Sequence, residues 1–183
     1  GFMGPADETS NQSTFVPNAD ELLANNVAYS SQFHDDDLEV APTRQLAIVE
    51  CMDSRVDTFQ VLGLQKGEAH IIRNAGGVIT DDVIRSLCLS QRFLGTREII
   101  LMHHTDCGLH NLSEDEFKAS LEAEIGMKPW WSLESFTDPY ADVRQSMLRL
   151  AATPFVEHKK NIRGFVYDVT DGLLREVLAE AND

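Results

Sequence analysis

Two thiols and one imidazole carry the chemistry this chain can do. Cys51 stands alone, and His104 and Cys107 lie three residues apart about fifty residues later. Two thiolates and an imidazole form a donor set that suits zinc. Three protein ligands leave a fourth position for water or substrate, the catalytic pattern, whereas structural zinc sites usually fill all four from protein. The remaining cysteine, Cys88, falls inside an expected helix and reads as a small buried hydrophobe. Three cysteines without a secretory signal argue for a reducing compartment and against a disulfide framework, so a cytoplasmic location is expected.

The residues after Cys51 extend the site. In Cys51-Met-Asp53-Ser-Arg55, Asp53 can reach the open position or accept a hydrogen bond from water on the metal. Arg55 can grip Asp53 as a bidentate pair and keep it off the metal. Alone, the two would read as a surface ion pair or a helix cap. Their place beside a metal-type cysteine at a strand end favours the catalytic reading.

The elements that must position these residues follow from periodicity and punctuation. Gln45 to Glu50 is a short apolar run, expected as a buried strand ending at Cys51. A short helix is expected over Arg55 to Leu62, then a strand over His70 to Arg73, broken by Asn74-Ala75-Gly76-Gly77. Asp81 to Leu94 reads as a helix, and Glu98 to His103 as a very apolar strand running into His104. Ser113 with Glu116 makes a capping-box signature for a helix to Ile125. A loop with Trp130 and Trp131 precedes a helix over Pro139 to Ala152. Ile162 to Val169 reads as a strand, and Gly172 to Glu180 as a short helix or an edge element.

Near the start, Asn18 and Glu21 predict a capped helix to about Phe33. Residues 1–17 read as a flexible leader, with Gly1 and Phe2 as added residues ahead of a natural Met3 start. Residues 18–183 read as one zinc-binding domain. Alternating strands and helices imply an α/β fold with a mainly parallel sheet and flanking helices. In sheet order 2-1-3-4, the first and third strands are neighbours, and their carboxyl ends form the crevice where ligands bind.

Cys-x-Asp-x-Arg followed about fifty residues later by His-x-x-Cys-Gly resembles the β-class carbonic anhydrases, here as Cys51 to Arg55 and His104 to Gly108. The segment Ile72-Arg73-Asn74-Ala75-Gly76-Gly77 is also similar to that family. The likeness spans about residues 18 to 170 and is strongest to the short bacterial and archaeal branch. It implies one zinc per chain on Cys51, His104 and Cys107. It also implies reversible hydration of carbon dioxide to bicarbonate and a proton by attack of zinc-bound hydroxide. Asp53 would orient that hydroxide, Arg55 would fix Asp53, and the Gly108 amide would contact bicarbonate. A homodimer or tetramer follows from the same resemblance. The rival readings are hydrolysis of carbonyl sulfide or carbon disulfide on the same fold, and a zinc scaffold without turnover.

Several nearby residues are read more plainly. His103 should point to the opposite face of its strand from His104, in a core or supporting role. Asp106 reads as a loop residue capping backbone amides, with support of the site residues as the alternative, and His110 as a solvated loop histidine, with proton shuttling as the alternative. Gly76-Gly77 lacks dinucleotide-motif spacing and should let the backbone turn near the site. The formal net charge of −15 excludes nonspecific binding to nucleic acid or an anionic membrane, and no apolar run is long enough to span a bilayer.

Overall fold

A computed structural model describes residues 14–179. Most of the expected leader, residues 1–13, lies outside them, as does Glu180 at the far end. The chain divides into two compact units, one up to Leu38 and one from Glu39 onward.

The first unit is built on α1 (Ala19–Ser31), which has no buried side chain and exposes Leu22, Leu23 and Val27. The expected capping box does not form. Asn18 adopts a helical backbone (φ −98°, ψ −14°) and its side chain makes no capping bond. A box requires an extended N-cap residue whose side chain can turn back onto the first-turn amides.

The second unit is a five-stranded sheet in the order β2-β1-β3-β4-β5. Its strands are β1 (Leu46–Cys51), β2 (Ala69–Asn74), β3 (Glu98–His104), β4 (Asn161–Tyr167) and β5 (Leu174–Val177). The first four are parallel, and β5 closes one edge antiparallel to β4. The anticipated 2-1-3-4 order therefore stands, and the segment left open between helix and edge element is a strand.

All six β1 residues are buried, as a strand flanked on both edges and covered on both faces must be. Ala47 and Val49 share one cluster with Ile99, Leu101, Val83, Leu87 and Leu150. Val83 and Leu87 come from α3 (Asp81–Arg92), four residues apart on one helical face. Leu150 comes from α5 (Pro139–Ala152). Each of the valine, leucine and isoleucine side chains contributes about 1.5–3 kcal/mol through burial. On α5, Val143 lies so close to β4 that a Cβ on Gly164 would sit 2.3 Å from its Cγ1. Glycine lets this helix pack tightly there.

The helix after β1, α2 (Thr58–Leu62), is shorter than its sequence predicts. Residues 53–55 are drawn into bonds at the end of β1, and Asp57 caps the helix by accepting from the Gln60 amide at 3.2 Å. In contrast, Ser113 caps α4 (Glu114–Ile125) as expected, accepting from Glu116 N at 3.4 Å.

Candidate metal centre

Cys51 is the last residue of β1 and His104 the last of β3, so two neighbouring parallel strands end at the same edge of the sheet, each with a donor. The loop leaving β3 returns Cys107 to them. The Cys51 and Cys107 sulfurs lie 4.0 Å apart, and the three donor atoms all fall within 4.8 Å of one another. The side chains are 5%, 2% and 7% exposed for Cys51, His104 and Cys107, so any ion there would be largely shielded from bulk water.

The imidazole is set for coordination. His104 Nδ1 is 2.7 Å from the Thr105 carbonyl, which can only accept, so Nδ1 carries the proton. Nε2 then presents a lone pair. It is buried, faces the thiols and has no hydrogen-bond partner. An orphaned imidazole nitrogen beside two thiols is costly unless a cation fills the gap. These residues therefore fit a zinc-type ion.

The thiols support this. The Cys107 contact lowers the Cys51 pKa to about 4, against burial, with help from His104 and the backbone amides of Asp53 and Gly76. The same contact, with burial, pushes the Cys107 pKa well up. The pair thus keeps one ready thiolate. Burial opposes charge on His104, but the Cys51 sulfur and the Thr105 carbonyl outweigh it, and its pKa is raised.

Asp53 and Arg55 meet as the spacing suggests. Arg55 Nε donates to Asp53 Oδ1 at 3.0 Å and Nη2 to Oδ2 at 2.7 Å, a bidentate fork. The Arg55 amide adds a bond to Oδ1 at 2.9 Å. Chiefly through Arg55, the Asp53 pKa falls well below the usual carboxylate range. Asp53 Oδ2 lies 3.6 Å from His104 Nε2, so the carboxylate faces the donor cluster.

Asp106 does not cap amides. Its carboxylate accepts from Arg55 Nη1 at 2.9 Å and its carbonyl from Nη2 at 2.8 Å, so Arg55 bridges both ligand-bearing loops. The sequence carries no local signal for this, because the partners are about fifty positions apart. His103 is outside the donor cluster, with Nε2 2.6 Å from Asp142 Oδ2 and its ring stacked on Phe136. His110 is exposed, Cys88 lies on α3 outside the donor cluster, and Gly108 faces open space.

Gly77 is where the backbone requires glycine. It has φ +65°, and a Cβ there would stand 2.8 Å from the Cys51 amide nitrogen. Glu50 and Arg73, to which the sequence assigned no role at the site, meet beside Cys51, with Arg73 Nε 3.3 Å from Glu50 Oε1 and donating to the Cys51 carbonyl. A lone glutamate in an apolar strand was the available signal.

An α/β sheet with a Cys-His-Cys cluster at its switch point defines a metal-site fold of the kind that binds a small ligand between strand ends. Residues 46–133 match the carbonic anhydrase family model. The chain is 54% identical over 158 residues to beta-carbonic anhydrase 1 of Mycobacterium tuberculosis, covering 86% of this chain and 96% of that protein. The structure superposes on a carbonic anhydrase from Streptococcus mutans with a TM-score of 0.83 and 39% identity, covering 90% and 100% of the two chains. A carbon disulfide hydrolase of Acidithiobacillus thiooxidans is 33% identical over 157 residues, 72% of this chain and 76% of that protein. The chain belongs to the β-carbonic anhydrase family.

Proposed function

We propose that this chain is a zinc-dependent carbonic anhydrase hydrating carbon dioxide reversibly to bicarbonate and a proton. Cys51, His104 and Cys107 would hold the metal. The observation that carries the reading is the Asp53 carboxylate, gripped by Arg55 and placed 3.6 Å from the partnerless His104 nitrogen. A scaffold site has no use for such an acceptor. A zinc ion held there would act as a Lewis acid, bringing the pKa of a water to about 7 or above and so supplying hydroxide near neutral pH.

The chain's own residues do the rest. Asp53, ionised at every working pH because of Arg55, can only accept a hydrogen bond, which orients the nucleophile towards carbon. Arg55, by its fork on both Asp53 oxygens, would keep that carboxylate from ligating an ion held there. Val78, Leu109 and Phe136 pack with Cys51 and Cys107 as an apolar wall, suited to a nonpolar substrate. The Gly108 amide would donate to bicarbonate. The working unit would be a homodimer or tetramer in the cytoplasm; sedimentation showing only a 20.4 kDa species would count against the oligomer.

Stopped-flow hydration assays on zinc-loaded protein, with carbonyl sulfide and carbon disulfide run in parallel, test the reading. Faster turnover of carbon dioxide is expected. Turnover of the sulfur substrates alone would favour the second reading, for which the 33% identical carbon disulfide hydrolase speaks more weakly than the 54% identical carbonic anhydrase.

A further inference from the structure

Among the apolar residues of β1 stands one charge, Glu50, which is 1% exposed. A carboxylate held this deep is costly unless a cation and hydrogen bonds compensate it. Oε1 accepts from the Thr58 hydroxyl and lies 3.3 Å from Arg73 Nε, while Oε2 has no hydrogen-bond partner. Arg73 is the register partner of Glu50 on β2. The pair could be a plain cross-strand ion pair, but the arginine reaches further.

Arg73 Nε donates to the Cys51 carbonyl at 3.0 Å and Nη2 to the Asp53 carbonyl at 2.8 Å. Between these two residues, the Met52 amide donates to the Asn74 carbonyl at 2.8 Å. The guanidinium is planar and always charged, so it fixes two carbonyls relative to each other as a flexible ammonium would not. One of those residues carries a candidate metal sulfur and the other the orienting carboxylate. Arg55 grips Asp53 by its side chain, and Arg73 grips the backbone beneath it.

We propose that Arg73, anchored by Glu50, is a positioning residue that clamps the Cys51–Asp53 backbone. It sets the angle at which the Cys51 sulfur and the Asp53 carboxylate meet His104 Nε2. The proposal rests on the function proposed above.

Two variants of the full chain test it, Arg73→Ala and the double variant Glu50→Gln/Arg73→Met. The double variant removes the buried charge together with its partner, so it folds even if Arg73→Ala does not. In zinc-loaded protein, kcat for hydration is expected to fall about tenfold or more, because small misplacements of reacting groups are costly, with KM within about twofold. Free guanidinium added to Arg73→Ala should restore part of the lost kcat. In metal-free protein, amide exchange at Met52, Arg55 and Val56 should quicken in the double variant while Ile99 and Leu101 in β3 stay protected. Unchanged exchange at the three turn amides would overturn the clamp. Faster exchange with wild-type kcat would overturn its positioning role. If the wild type failed to hydrate carbon dioxide, the proposed function would fall, and the exchange comparison would still decide whether the clamp exists.

Discussion

The two loops that supply the donor atoms are held in different ways. The Cys51–Arg55 turn is built into the sheet. It leaves a strand flanked by β2 and β3, its backbone is tied to Asn74 and Arg73, and Gly77 presses against Cys51. The loop from His104 to Leu112 is anchored at its start, where the Thr105 amide donates to the Tyr167 carbonyl at 2.9 Å. Beyond that it turns through Asp106 and Asn111, both at positive φ, and meets the first loop through Arg55. The first half of the site leaves a strand paired on both edges; the second is tied to Phe136 through the Asn111 amide and the His110 bridge and packs Leu109 against Val78. Arg55 is the side chain that joins the two loops, and a bound ion would join them again.

The severest break is loss of a donor. Cys51→Ser and Cys107→Ser should each fall to about a tenth or less of one zinc per chain by metal analysis, since thiolates supply most of the donor charge. Cys88→Ser should keep its zinc. Full retention in either of the first two would end the ligand assignment.

Next comes the cross-link. Arg55→Ala should keep zinc yet lower hydration about a hundredfold, because both loops lose their shared donor and Asp53 is free to swing onto the metal. X-ray absorption should then find a carboxylate oxygen on the ion. Turnover near the wild-type rate at about pH 8, where hydroxide supply is ample, would dismiss this role.

A pair of glycines sharpens the contrast between the loops. Gly77→Ala places a Cβ against the Cys51 amide at positive φ and should cost about 2 kcal/mol or more in urea unfolding. Gly108→Ala, with open space around its Cα, should cost less than about 1 kcal/mol. Equal costs would mean the first loop is no more constrained than the second.

The smallest effect is a pH dependence. Arg55 depresses the Asp53 pKa below its ordinary 3.8, so the pair's contribution to stability is complete above that pH and disappears as pH falls through the lower folded value. The stability gap between wild type and Arg55→Gln should therefore be flat from pH 7 down to about 4 and narrow below it. A gap that widened on acidification would show that the pair is not what holds Asp53 ionised.

The candidate donor set was legible because Cys51 and His104 close apolar strands with Cys107 three residues further on, and two strand ends at a switch point meet once the sheet order is known. Cys51, Asp53, Arg55, His104 and Cys107 needed only local spacing and the parallel-sheet pattern. The helix start at Asn18 was read correctly, but its capping box was not, because a capping signature does not decide the backbone angles of its first residue. The segment after Gly172 was ambiguous because a four-residue strand has too few positions to show a period. The turn at Gly76-Gly77 was legible, but the Arg55–Asp106 bridge, the Arg73 contacts and the close approach of Gly77 to the Cys51 amide were not. Each depends on which backbone atoms lie within about 3 Å of a side chain once strands from distant parts of the chain are in register. Residue types and short spacings thus determined the chemistry this protein can offer. Only the tertiary structure decided how firmly each half of the site is held, because rigidity comes from donors that are remote in sequence and adjacent in space.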